Sequence, residues 1–109
     1  MIVLSKSLTI IKAGSTHVIY VEDNKLKHYC IELGLPLVLT SNDIIKDVTI
    51  IMCESSMFII EVTEEGTKES ELFFHDNGSF GVTPVEAGLY DRAGTVYTVD
   101  AEGIYIAKL

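Results

Sequence analysis

The sequence has few of the residues that mark specialised classes of protein. Among its 109 residues there are two cysteines, two prolines and no tryptophan. A small secreted scaffold held together by disulfides would carry more cysteine. Cys30 and Cys53 each lie within an apolar run, so we expect both to be free thiols in a reducing compartment.

Long apolar runs are also missing. No run approaches the roughly 20 residues that a transmembrane helix needs. Residues 1–12 have no basic leader, and Lys6 interrupts their apolar pattern, so we expect no signal peptide. These features predict a cytoplasmic protein with no membrane partner, or a component of a particle assembled in the cytoplasm.

Basic residues are scarce. Eight lysines and arginines stand against sixteen acids, which gives a net charge of -8 and a pI near 4.7. Such a surface repels nucleic-acid phosphates, so the composition predicts no direct binding to DNA or RNA. A soluble protein, or one that meets a basic partner, fits this charge.

Recognisable catalytic and metal-binding patterns are absent from the sequence. It contains no Cys-x-x-Cys, no His-x-x-x-His and no Gly-x-Ser-x-Gly. On a strand, His28 and Cys30 would share a face, and Cys53 could complete a metal site with them, although buried side chains without a metal are far commoner. We therefore expect no catalytic residue, no metal and no cofactor, and a protein that is not an enzyme.

Two apolar runs, at 48–53 and 57–62, form the most apolar part of the chain, and a short polar link joins them. Six residues are too few for a stable helix, and isoleucine and valine dominate, so the pattern predicts two paired strands. Both faces of such a pair are apolar, and both therefore need cover, from the rest of the chain or from a twin subunit.

The alternation of side chains in a strand predicts how these two faces are composed. One face is expected to combine Val48, Ile50 and Met52 with Phe58, Ile60 and Val62. The second face is then left with the candidate interface residues Ile51, Cys53, Met57 and Ile59, which predict a homo-oligomer built on protein-protein contacts.

Other short strands are predicted along most of the chain. Period-two alternation indicates a half-buried strand over 2–11, followed by a turn at 13–16, and 36–40 is expected to be extended. Residues 41–47 suit one helical turn or a wide loop. In the last third, turns are predicted at 76–78, 91–94 and 100–103, with short strands between them.

The segment 17–33 has two interpretations. A hairpin with its turn at Asp23-Asn24 would place Glu22 opposite Lys25 and Val21 opposite Leu26. A short helix over 24–33 would instead use a helical apolar spacing and end at Gly34. We prefer the hairpin. The fold class predicted is mainly β, an antiparallel β-sandwich or rolled barrel of about ten short strands in a single domain, 1–109, with α+β as the alternative.

The polar stretch 63–70 is expected to be an exposed, flexible connection. It supplies the acidic surface candidates Glu64, Glu65, Glu69 and, just beyond it, Glu71. Glu69 and Glu71 would project from one side of a strand, about 6–7 Å apart. If these carboxylates imitate phosphates, the protein would be a small acidic inhibitor or decoy that blocks a basic site on a nucleic-acid enzyme.

The features together favour a non-enzymatic structural or assembly module. A compact, acidic, all-β chain of this kind resembles accessory proteins of virus particles in composition and pattern. That resemblance implies self-association or docking on a larger assembly, with the acidic decoy as the alternative function.

Overall fold

A computed structural model describes residues 4–12, 14–34, 36–41, 45–54, 56–74, 80–85 and 94–106. Strands make up 75% of these residues, and no helix occurs among them. This part of the chain therefore has no helix of the length and apolarity that crossing a membrane would require. The prediction of an all-β, antiparallel fold is confirmed.

The larger of two antiparallel sheets has seven strands. Their bounds are β1 (Leu4–Ser5), β6 (Val48–Met52), β7 (Ser56–Thr63), β8 (Gly66–Phe74), β9 (Phe80–Val85), β10 (Thr95–Asp100) and β11 (Gly103–Ile106). Their order across the sheet is β1-β11-β10-β6-β7-β8-β9. The predicted central pair, β6 and β7, lies in the interior of this sheet.

The smaller sheet has four strands in sequence order, β2-β3-β4-β5. Their bounds are β2 (Ser7–Lys12), β3 (Ser15–Glu22), β4 (Lys25–Cys30) and β5 (Pro36–Val38). The predicted strand over 2–11 is thus divided at Lys6, and its two parts join different sheets. Lys6 occupies an inward position of the alternating pattern, and a lysine is costly to bury, so the chain breaks there.

The preferred hairpin at 17–30 is confirmed, and the alternative helix over 24–33 is wrong. Glu22 pairs with Lys25 and Val21 with Leu26, as the turn predicts. Asp23 and Asn24 both have positive φ angles, of 54° and 59°. A two-residue hairpin turn requires that conformation at both positions, and Asp and Asn tolerate it better than most residues.

The two sheets enclose one core, which makes the fold a β-sandwich. The buried cluster combines Ile19 and Leu26 from the smaller sheet with Ile50, Met57 and Leu72 from the larger sheet. Inward residues alternate with outward ones along β3 and β4. This alternation leaves the other face of the smaller sheet directed away from the core.

The other predicted turns have different outcomes. The turn at 100–103 is confirmed, with Asp100 Oδ1 accepting hydrogen bonds from the backbone N–H groups of Glu102 (2.8 Å) and Gly103 (3.2 Å). The turn at 76–78 and most of the turn at 91–94 lie outside the described residues. So does the middle of 41–47, at 42–44.

A buried carboxylate fixes the chain where it crosses from the smaller sheet to the larger one. Glu61 on β7 is only 3% exposed. Both of its oxygens accept the Ser41 backbone N–H at 3.1 Å, and Oε2 also accepts the Ser41 hydroxyl at 3.0 Å. Next to this contact, the Thr40 hydroxyl accepts the Leu26 N–H at 3.1 Å. The crossing segment is thus bonded to both sheets.

Replacing this carboxylate should destabilise the fold. Glu61→Ala leaves the N–H and hydroxyl of Ser41 without their acceptor, and such a loss costs about 2–3 kcal/mol of unfolding free energy. Chemical denaturation measures the change. The control Glu64→Ala removes an exposed carboxylate of the same strand pair and should change stability by less than about 0.5 kcal/mol. Equal stability of the two variants would contradict this role for Glu61.

Candidate protein-protein interface

The predicted composition of the central-pair faces is wrong. In the β6–β7 ladder Ile50 lies opposite Ile59, and Ile51 lies opposite Phe58. Residues directly opposite each other in an antiparallel pair point to the same face. The face that holds Ile50 therefore also holds Ile59, which had been assigned to the other side. The number of residues in the connection between β6 and β7 decides which side chains share a face. The sequence does not reveal that number, because the ends of the polar link are not evident from it.

The four candidate interface residues consequently do not form one surface. Met57 and Ile59 are 0% and 2% exposed and belong to the core between the sheets. Ile51 lies on the opposite face of the larger sheet, where it is 8% exposed, and Cys53 is half-buried just beyond the end of β6. A charge at Ile59 would thus disrupt folding before it could report on assembly.

The acidic candidates are also divided. Glu64 and Glu65 lie at the exposed tip of the β7–β8 hairpin. Glu69 and Glu71 share one face of β8, as predicted, but Glu69 is only 7% exposed and Glu71 is half-buried. The predicted flexible connection is wrong beyond residue 65, because β8 begins at Gly66.

Basic side chains interrupt this acidic region. A groove of about 810 Å³ is lined by Lys46 and Lys68 together with Glu64 and Glu65. A decoy that imitates a phosphate backbone needs a continuous track of negative charge. The four acids and their neighbours therefore form a region of mixed sign.

A pair of histidines lies in the core on the inner face of the smaller sheet. His17 and His28 are both fully buried. His17 Nδ1 is 2.9 Å from His28 Nε2, and their rings stack with centroids 5.1 Å apart and planes 24° apart. The edge of Phe74 from the larger sheet packs against His17 at 4.6 Å. One of the two nitrogens donates and the other accepts, so at least one of the rings is neutral.

Burial keeps these histidines from gaining a proton. Burial, with a smaller contribution from the nearby His17, lowers the pKa of His28 to about 4. Burial also lowers the pKa of His17, although the carboxylate of Glu32 partly opposes that shift. Both rings are neutral at pH 7, and their full burial separates them from any substrate in solution.

The predicted sharing of a face by His28 and Cys30 is confirmed, since both point into the core. Reasoning from sequence missed His17, which pairs directly with Cys30. The sequence did contain the information needed to find it. If Glu22 lies opposite Lys25, then in the same antiparallel register His17, five residues earlier, lies opposite Cys30, five residues later. Over the ranges that the structure describes, no three His, Cys, Asp or Glu side chains converge on a metal position.

The outer face of the smaller sheet is an exposed apolar surface that sequence reasoning did not identify. We name it the outer apolar face and define it by Ile11, Val18, Tyr20, Tyr29, Ile31 and Val38. Ile11, Ile31 and Val38 are 73%, 53% and 51% exposed. Val18 pairs with Tyr29, so half-buried side chains connect the exposed ones across the sheet. The signal in the sequence is that residues 18–21 of β3 are apolar at odd and even positions alike.

Exposed apolar side chains on the larger sheet are scattered by comparison. Leu4, Val62 and Phe73 lie on its outer face. Leu4 is on the edge strand β1, while Val62 and Phe73 lie at opposite ends of the β7–β8 pair. Isolated apolar residues of this kind are ordinary on protein surfaces, whereas a continuous patch is not.

The outer apolar face also lies on the least acidic part of the molecule. Residues 1–40 contain four lysines, at positions 6, 12, 25 and 27, and three acids, at positions 22, 23 and 32. The remaining 69 residues contain thirteen acids and four bases. A partner that approaches the smaller sheet therefore meets little of the net negative charge.

Acid should destabilise the protein through the histidine pair. Unfolded histidine titrates near pH 6.5, while folded His28 titrates near 4. Between these values the unfolded chain binds a proton that the folded chain does not, so the free energy of unfolding falls as pH falls. The free energy of unfolding is not reduced by this effect above pH 6.5. As the pH falls towards 4, the reduction due to His28 approaches about 3 kcal/mol.

Urea unfolding at pH 7 and pH 5 measures this loss. The double variant His17→Leu/His28→Leu shares every carboxylate with the wild type, so the difference between their pH responses isolates the histidines. In the wild type, NMR of the rings should show His28 still neutral at pH 5. Equal pH responses of the two proteins, or a ring that titrates near pH 6.5, would contradict the burial argument.

Comparison with models of known families, with curated proteins and with solved structures found no match to this chain. The chemistry of the chain's own surfaces therefore carries the inference about function.

Proposed function

We propose that this chain is a non-enzymatic structural or assembly module that acts through protein-protein contacts, and that the outer apolar face makes those contacts. The observation that carries the proposal is the placement of exposed Ile11, Ile31 and Val38 around half-buried Val18, Tyr20 and Tyr29 on one sheet face, which Thr9, Thr16 and Lys27 share. Contiguous exposed apolar patches of more than a few hundred Å² are rare on monomers and mark interaction sites.

The face has the dimensions of the largest apolar patch on a typical monomer, which is often functional. Four strands about 4.8 Å apart, with about five residues along the longer strands, give a footprint of roughly 300 Å². Its composition suits a contact surface as well, because it contains two tyrosines and large aliphatic side chains. Aromatic residues of this kind are enriched in protein interfaces.

We also propose that the protein is located in the cytoplasm or in a virus particle assembled there. Cys30 and Cys53 are free thiols, which suits a reducing compartment. A small acidic β-sandwich with one apolar contact face suits the role of an accessory protein in such a particle.

The alternative function, an acidic decoy for a nucleic-acid enzyme, has weaker support. It depends on Glu64, Glu65, Glu69 and Glu71, of which only Glu64 and Glu65 are exposed at the hairpin tip. Lys46 and Lys68 share their groove. The assembly module is therefore the function we put forward.

A double charge substitution on the face should remove the contacts of this protein. In Ile11→Glu/Val38→Glu both altered side chains are exposed on β2 and β5, so stability should change by less than about 1 kcal/mol. Tagged wild type and variant are captured from cells that also express the untagged chain, and the retained proteins are quantified. We expect the variant to lose its specific partners at least tenfold.

The control is Val62→Glu, which introduces a single glutamate at an exposed valine on the other sheet. It should retain the partners of the wild type. If the double variant retained every protein that the wild type retains, or if both variants lost them equally, the outer apolar face would not be the contact surface.

A further inference from the structure

We infer that the buried histidine pair is an acid-operated release for the outer apolar face. Protonation of His17 or His28 separates the smaller sheet from the larger one, and this separation ends the contacts that the face makes. The inference rests on the proposed function and adds a regulation of the same surface. The hydrogen bonding of the pair, its apolar surroundings and its position directly behind the face support it.

The hydrogen bonding of the pair fits neutral rings. His17 Nδ1 and His28 Nε2 are 2.9 Å apart, so one of them donates to the other. A protonated histidine must donate from both of its nitrogens. His17 Nε2 is buried, and no acceptor for it lies in the part of the chain that the structure describes. A proton added there would be buried without a hydrogen-bond partner, and two charged rings at this distance would repel each other.

The surroundings of the pair supply little to balance a positive charge. On the same face of the smaller sheet, strand pairing places Ile10, Ile19 and Leu37 beside the two rings. From the larger sheet, Phe74 packs against both rings, with centroids 4.6 and 6.3 Å away. These neighbours are apolar, so a charged ring reaches water only when the two sheets separate.

Glu32 and Cys30 are the titratable groups beside the pair. Cys30 lies opposite His17, and its thiol donates to Glu32 Oε2 at 3.6 Å. Backbone hydrogen bonds, first that from the Thr16 N–H, lower the pKa of Glu32, so its carboxylate is still charged at pH 5. That charge favours protonation of His17 in the closed form and opposes release, but burial of the ring is the larger effect. Among the described residues, Glu61 is not one of the charges that act on either ring.

The same two strands carry the histidine pair on one side and the outer apolar face on the other. On β3, His17 is followed by Val18, and on β4, His28 is followed by Tyr29. Val18 and Tyr29 lie opposite each other and point outward. A sheet with an apolar face is stable only when that face is packed against another layer. Once the sheets separate, Val18 and Tyr29 are no longer held in one surface, and the contacts of the face are lost.

Proton linkage sets the size of the acid response. In the open form water reaches His28, whose pKa then has its ordinary value of 6.5, whereas burial and the nearby His17 lower the pKa to about 4 in the closed form. Between these values the open form takes up a proton that the closed form refuses, so opening becomes more favourable as the pH falls. From pH 7.5 to pH 5, His28 alone raises the ratio of open to closed molecules about 30-fold.

Hydrogen exchange tests the opening. Protection of the β3 and β4 amides, corrected for the intrinsic effect of pH on exchange, should fall about 30-fold between pH 7.5 and pH 5 in the wild type. The control is His17→Leu/His28→Leu, which keeps every carboxylate and replaces both bonded partners by apolar side chains, a change that costs little. Its protection should fall far less. Equal losses in the two proteins would overturn the inference, and so would unchanged protection in the wild type alone.

The rate of release tests the link between the pair and the face. Wild type and the double histidine variant are loaded at pH 7.5 with the proteins that the wild type retains from cells, and dissociation is followed at pH 7.5 and pH 5. Because each opening ends the contact, release from the wild type should accelerate about 10–30-fold in acid, and release from the variant much less. Any acid response of the partners is common to both proteins. Equal acceleration, or none in the wild type, would overturn the inference.

The outcomes separate this inference from the proposed function. If capture depends on Ile11 and Val38 but acid acts equally with and without the histidines, the acid release is wrong and the contact surface stands. If capture does not depend on Ile11 and Val38, the proposed function is wrong and the acid release falls with it.

Discussion

The β3–β4 hairpin is apolar on both faces, and the core can bury only one of them. The inner face supplies Ile19, Leu26 and the histidine pair to the contact with the larger sheet. Strand geometry then forces Val18, Tyr20 and Tyr29 to the opposite side, because successive side chains alternate. The fold and the candidate interface thus have one cause. A sheet that is apolar on both sides requires a second layer, and the chain provides that layer on one side.

The inner face is also polar to an unusual degree for the middle of a sandwich. His17 Nδ1 and His28 Nε2 are hydrogen-bonded to each other at 2.9 Å, and Glu61 accepts hydrogen bonds from Ser41 where the chain passes between the sheets. Buried polar groups are costly unless they are paired. The Glu61–Ser41 contact, together with the packing of Phe74 against His17, therefore helps to fix how the smaller sheet sits on the larger one and which face is turned outward.

Much of the fold follows from local patterns in the sequence. The turn at Asp23-Asn24 predicts the exact register of the β3–β4 hairpin, and the two Ile-rich runs predict the pairing of β6 with β7. Sequence patterns do not give the change of sheet at Lys6, because alternation continues across it. Nor do they give the pairing of Ile50 with Ile59, because the length of the link decides which side chains share a face. That second error placed Met57 and Ile59 on an uncovered face of the central pair, although both lie in the core.

The account depends most on the claim that this protein makes its contacts through the outer apolar face. Isoleucine and valine methyl NMR spectra of the labelled protein, recorded as the proteins that it retains from cells are added, test it residue by residue. Signals of Ile11, Ile31 and Val38 should shift or broaden, whereas those of Ile51 and Ile60 on the far face of the larger sheet should stay in place. Changes confined to Ile51 and Ile60, or no change at any methyl group, would contradict it.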